Sequence, residues 1–134
     1  LVINLANFIK EKKFKKICIF ESTEFDYICY ISMFASLISG ATYIPVNCLT
    51  PNTRLKSILK ISAADILISK HSIKLNYDIK RLTEKKVLNL KKKNSFIPLK
   101  SNRDAYIIFT SGSTGEPKGV RISRSSLTGK INSP

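Results

Sequence analysis

Apolar residues fall in short runs separated by segments of helical period, the pattern of a mostly parallel α/β sheet with flanking helices. Leu1, Leu5, Phe8 and Ile9 recur on one face of a helix over Leu1 to Lys12, and Lys16 to Phe20 (KICIF) has the length and β-branched content of a strand. Thr23-Glu24-Phe25-Asp26 places a hydroxyl and a carboxylate three residues apart, a capping box that predicts a helix from there to about Ser39. Gly40 stands where a helix ends in a left-handed turn, and Thr42 to Val46 (TYIPV) follows as a strand. Thr50-Pro51 predicts a helix over Pro51 to Ile61, with Leu55, Ile58 and Leu59 on its buried side. Asp65 to Ser69, Lys86 to Leu90 and Ala105 to Thr110 are the remaining predicted main strands, with a helix near Tyr77 to Glu84 and a loop over Lys91 to Arg103. A short strand at Val120 to Ile122 and a helix beginning near Ser123 to Ser126 close the series. The unbroken apolar character of these strands implies cover on both sheet faces.

Tyr27 to Thr53 contains no charged side chain, and Tyr27 to Val46 meets the length of a membrane-spanning helix, about 20 residues. Ser32, Ser36, Ser39, Gly40 and Thr42 dilute that run and Pro45 breaks it, so a capped helix followed by a buried strand is preferred to a span. The 134 residues suffice for about one ordinary domain. With 43% hydrophobic and 24% charged residues, the composition excludes disorder and a repetitive fibre. Cys18, Cys29 and Cys48 form no C-x-x-C pair, and the single histidine, His71, has no ligand-like neighbour, which implies a reduced, cytoplasmic chain without a protein-bound metal. Leu1 is the first residue and Met33 the only methionine, so the chain is read as a piece of something longer. The net charge of +14 favours anionic partners if it is gathered on one face, and the lysine groups Lys10 to Lys16 and Lys85 to Lys93 are the candidates. Neither group carries an aromatic array or a recognition motif for nucleic acid, and both read as solvated faces.

The chemistry concentrates in Thr110-Ser111-Gly112-Ser113-Thr114-Gly115-Glu116-Pro117-Lys118-Gly119, directly after the apolar run AYIIF. Its glycines permit positive φ and close backbone approach, so that successive N–H groups can turn toward one anion. The hydroxyls of Thr110, Ser111, Ser113 and Thr114 add neutral donors, and Lys118 adds a positive charge on a flexible stem. Such a loop suits pyrophosphate or the outer phosphates of a nucleotide. It is not a Walker loop, which needs Gly before the lysine and Ser or Thr after it, where this chain has Pro117 and Gly119.

The string resembles the phosphate-binding signature T-S-G-[ST]-T-G-x-P-K-G of the adenylate-forming superfamily. Leu37 to Asn47 (LISGATYIPVN) is similar to an upstream motif of amino-acid adenylation domains and D-alanine to carrier protein ligases, and it runs on into the expected Pro-x-x-R-L-x-x-I-L helix at Pro51 to Leu59. Ile38, Ser39 and Thr42 depart from the usual lysine, alanine and alanine. The resemblance implies that residues 1–134 are a partial AMP-binding domain, truncated at both ends. It implies an enzyme that activates a carboxylic acid, an amino acid by preference, with ATP and Mg²⁺, and passes it to a thiol of a carrier protein or CoA. Lys118 and Thr110 to Gly115 would then position the β- and γ-phosphates and stabilise charge on departing pyrophosphate. The family's adenine, ribose and acid-selecting segments lie beyond the signature, so the catalytic set is incomplete and the chain is expected to be inactive alone, with its sheet edge and apolar faces poorly soluble. Two other classes compete with this reading: a small basic protein that binds nucleic acid or phosphate, and a single-span membrane protein.

Overall fold

The computed structural model describes residues 1–23 and 25–131. The KICIF run forms β1 (Lys16–Glu21), an interior strand flanked on one side by β2 (Thr42–Asn47) and on the other by β3 (Ile66–Ser69), both parallel to it. Beyond β3 lies β4 (Lys80–Thr83), also parallel. Beyond β2 lies β5 (Asp104–Ser111), parallel through Tyr43 opposite Tyr106, and β6 (Pro117–Ser123) closes the sheet as an antiparallel edge. The order is β4-β3-β1-β2-β5-β6, the mostly parallel α/β arrangement expected.

Alternation along the strands feeds two cores. Ile17 and Ile19 of β1, Tyr43 of β2 and Ile66 and Ile68 of β3 join one cluster with α1 (Val2–Glu11) and α2 (Tyr27–Ile38). Cys18, Ile44, Val46, Leu67 and Ile107 point the opposite way, onto Leu55, Ile58 and Leu59 of α3 (Asn52–Ser62). Each fully buried Ile or Leu contributes roughly 1.5–3 kcal/mol, which is why both faces must be covered. The long uncharged stretch is thus divided between α2 and β2. Among the described residues no helix is long and apolar enough to cross a membrane.

The cap of α2 departs from expectation. Asp26, not Thr23, is the capping residue: its carboxylate accepts from the N–H of Cys29 and of Ser22, each at 3.1 Å. Glu24, between the two predicted capping residues, lies outside the described residues. Asp26 is only 6% exposed, so Asp26→Ala strands two donors and is expected to cost about 2 kcal/mol in urea unfolding. An unchanged midpoint would refute that role. At the other end, Gly40 takes φ +77°. Its N–H reaches Leu37 O while Ala41 N–H reaches Ser36 O, the paired bonds of a Schellman turn.

Pro51 occupies the cap position of α3 rather than its first turn, its carbonyl accepting from Leu55 N–H at 2.9 Å, and among the described residues Thr50 makes no capping hydrogen bond. The larger correction lies at residues 77–90. The predicted helix near Tyr77 to Glu84 is replaced by a stretch that ends in β4, and the predicted strand Lys86 to Leu90 belongs largely to α4 (Glu84–Leu88). β4 has one buried side chain, Leu82, and is held by pairing with β3. Arg81 braces the stretch before it, donating to Leu75 O and Tyr77 O at 2.6 and 2.8 Å. In α4 only Val87 is buried, so its lysines stay on the solvent side. α5 (Arg124–Ile131) follows β6.

Candidate phosphate-binding site

Because β2 and β5 run parallel, the carboxyl ends of β1, β2, β3 and β5 emerge on one edge of the sheet, where open α/β sheets receive their ligands. The signature occupies that edge. Thr110 and Ser111 end β5, Pro117, Lys118 and Gly119 begin β6, and residues 112–116 form the connecting loop. Thr110 lies directly opposite Lys118 and Ser111 opposite Pro117, so the Thr110 hydroxyl and the Lys118 ammonium stand on the same face of the hairpin. Pro117 lacks an N–H, which a first strand position does not need.

The glycines act for different reasons. Gly112 donates to Glu116 O at 3.2 Å, and a Cβ there would sit 2.6 Å from that same oxygen. Gly115 takes φ +80° in open space and donates to Gly112 O at 3.1 Å. Gly119 leaves room for Ile107 Cγ2 and the Phe109 ring, which a Cβ would meet at 2.9 and 3.2 Å. The expectation of positive φ is therefore met by Gly115 alone of the three, and the other two serve close approach.

Thr110, Ser111, Ser113, Thr114, Gly115 and Lys118 are exposed and Gly112 is half-buried. Among the described residues, the four hydroxyls and the Lys118 ammonium engage no hydrogen-bond or ion-pair partner, and Ser113 and Thr114 N–H have no backbone partner. Two of the loop's amides, those of Gly112 and Gly115, are spent on closing the loop itself. What remains is a set of neutral donors beside one cation, suited to a multiply charged oxyanion.

The predicted residues thus come together on one hairpin. Missed from sequence were the groups that hold it. Arg121 pairs with Asp104 across β5 and β6 at 2.6 Å. Arg103 donates to Gly40 O at 3.3 Å, and Arg124 donates to Leu37 O at 2.8 Å and also to Ala41 O. Two guanidiniums therefore meet the carbonyl-rich end of α2, where its dipole favours cations. Burial, and then the nearby charge of Arg103, hold the Arg124 guanidinium below its ordinary pKa. Only the separation in sequence hid these contacts.

Tyr43 stacks on Tyr106 at 5.2 Å, and its pKa is raised chiefly by burial. Cys18 and Cys29 are buried thiols pushed up to about 12, mainly by burial, so neither is a nucleophile near neutrality. The two lysine groups converge in part: Lys93 pairs with Glu11 at 3.0 Å and its N–H reaches Asn4 on α1. Among the described residues no set of three His, Cys, Asp or Glu could hold a metal. Magnesium fits this site as an ion carried by the phosphates, its usual mode, more readily than as one caged by protein.

A family model described as AMP-binding enzyme matches residues 4–133. Bacitracin synthase 1 of Bacillus licheniformis is 38% identical over 94 residues, 69% of this chain and 2% of that protein. A D-alanine--D-alanyl carrier protein ligase of Streptococcus equi subsp. equi is 31% identical over 121 residues, 87% of this chain and 23% of the relative. Among solved structures, the N-terminal subdomain of Klebsiella oxytoca NpsA in complex with 3-hydroxybenzoyl-AMSN superposes with a TM-score of 0.74 at 27% identity, over 91% of this chain and 32% of that one. The chain spans less than a third of the length of each of these two proteins and a third of that subdomain. Since the family model matches nearly the whole chain, the chain belongs to the AMP-binding enzyme family.

Proposed function

We propose that this chain is the phosphate-holding first part of an adenylate-forming domain, in which ATP and a carboxylic acid, an amino acid by preference, give an acyl adenylate and pyrophosphate. The acyl group would then pass to a carrier-protein or CoA thiol. The observation that carries the reading is the exposed signature hairpin at the carboxyl edge, with the Thr110, Ser111, Ser113 and Thr114 hydroxyls and the Lys118 ammonium unengaged among the described residues. These groups would bind the β- and γ-phosphates and orient them, Lys118 offsetting charge as pyrophosphate departs. Magnesium bound to the phosphates would neutralise further charge there. No general base is needed, since a carboxylate is already ionised at neutral pH. The amino-acid preference is supported by likeness to peptide synthetases and to a D-alanine-activating ligase.

The 134-residue chain is expected to bind ATP with Mg²⁺ in equilibrium dialysis and to give no amino-acid-dependent exchange of pyrophosphate into ATP. Failure to bind ATP overturns the phosphate-holding role. Robust exchange would show that the chain carries a complete catalytic set, against this reading.

A further inference from the structure

At the amino edge of the sheet, the acid before β3 and the acid that opens β5 are both occupied. Asp65 Oδ2 accepts from the N–H of Lys15 and of Lys16 at 2.7 and 2.9 Å, and Asp104 is paired with Arg121. Cations therefore dominate where β5 begins and β6 ends. Lys100, Ser101, Asn102, Arg103 and Arg121 line a trough of about 540 Å³ there, with no acidic or aromatic side chain in its lining. It is open, since all of these residues but Ser101 are exposed. Arg103 spends one N–H on Gly40 O at 3.3 Å, and Arg121 engages Asp104 through Nε. Lys100 and the terminal nitrogens of Arg121 have no partner among the described residues. β5 is 8 residues long, so at about 3.3 Å per residue the trough lies roughly 23 Å from the signature end of that strand.

We infer that this trough is a docking surface for an acidic segment of a partner polypeptide, one that carries successive Asp or Glu side chains. Guanidiniums match carboxylates with paired N–H donors, and Lys100 adds a point charge beside them. An open trough leaves a small anion largely in water, whereas an extended chain can meet all three cations at once. With no aromatic side chain in the lining, nothing is placed to stack a nucleobase, which favours a polypeptide over single-stranded nucleic acid. The net charge of +14 speeds the approach of an acidic partner. The distance from the signature loop lets that partner dock without covering it, so the inference does not rest on ATP binding.

A fluorescein-labelled hexaglutamate peptide is the probe, titrated with the full chain and followed by fluorescence anisotropy at fixed pH and ionic strength. Saturable binding is expected. Lys100→Gln combined with Arg121→Gln should weaken it at least about tenfold, since each exposed charge contact is worth up to about fivefold. Lys91→Gln combined with Lys92→Gln removes the same charge from exposed positions after α4 and should weaken binding less than about twofold, because distant surface charges are screened. Lys118→Gln is expected to stay within that same limit. Equal losses in the two double variants would reduce the effect to net charge and overturn the docking surface. Absence of saturation would overturn it too, as would tighter binding of a labelled hexathymidylate than of hexaglutamate. A loss confined to Lys118→Gln would place the acidic chain on the signature loop and overturn the trough.

Discussion

Lys118→Ala is expected to weaken binding of Mg²⁺-ATP at least about tenfold, because a charge-assisted contact to phosphate is worth roughly 1.5–3 kcal/mol. The side chain is exposed and has no ion-pair partner among the described residues, so its removal should leave the urea midpoint where it was. That split between affinity and stability separates a ligand contact from a structural one. Gly112→Ala tests the same loop through its backbone: the added carbon would lie 2.6 Å from Glu116 O and break the hydrogen bond that closes the turn. Binding should again fall at least about tenfold, now with a stability cost on the order of 1–3 kcal/mol. Gly115→Ala is the milder control, since nothing lies within 4 Å of the added carbon and only the positive φ resists it. Equal affinities for wild type, Lys118→Ala and Gly112→Ala would remove the phosphate from this hairpin altogether.

The second large effect is on the fold. Ile19 sits in the interior strand β1, between Pro45 and Ile68, and is 1% exposed. Ile19→Ala should cost about 2–5 kcal/mol by urea unfolding, the transfer free energy of the lost carbons plus the cavity they leave. Much of a domain's net stability is of that size. A loss below about 1 kcal/mol would mean that α1 and α2 do not pack on β1 as described. Alkali should act through the buried thiols. Cys18, held protonated up to about 12 when folded against an ordinary value of 9.0, adds stability that is complete below pH 9 and lost as pH rises from 9 toward 12. Cys18→Ala should flatten that decline in a pH series of unfolding midpoints.

The parts of this molecule legible in the sequence are those whose stability is local or carried by an apolar run. KICIF, TYIPV and AYIIFT each became an interior strand because each presents apolar groups to both faces, and Gly40 ended α2 because its backbone needs φ +77°. The signature was legible for a different reason: its glycines, hydroxyls and lysine stand in one contiguous string, which the fold keeps together on a single hairpin. Residues 77–90 were misread because β4 exists through its partner. Lys80, Arg81, Leu82 and Thr83 offer one buried side chain, and the pairing with β3 supplies what the pattern lacks. Conversely, Val-Leu-Asn-Leu looks like a strand, yet Glu84 to Leu88 wind into one short helix that buries Val87 alone. The capping hydroxyl of Thr23 lost to Asp26 because only Asp26 reaches two amides at once.

Arg103 and Arg124 give the hairpin an uneven mechanical character. At its root, guanidiniums from before β5 and after β6 clasp the carbonyls at the end of α2. At its tip, Ser113 and Thr114 lean on nothing among the described residues. A lever clamped at its base and free at its crest can flex around arriving cargo without losing its alignment with the neighbouring strand.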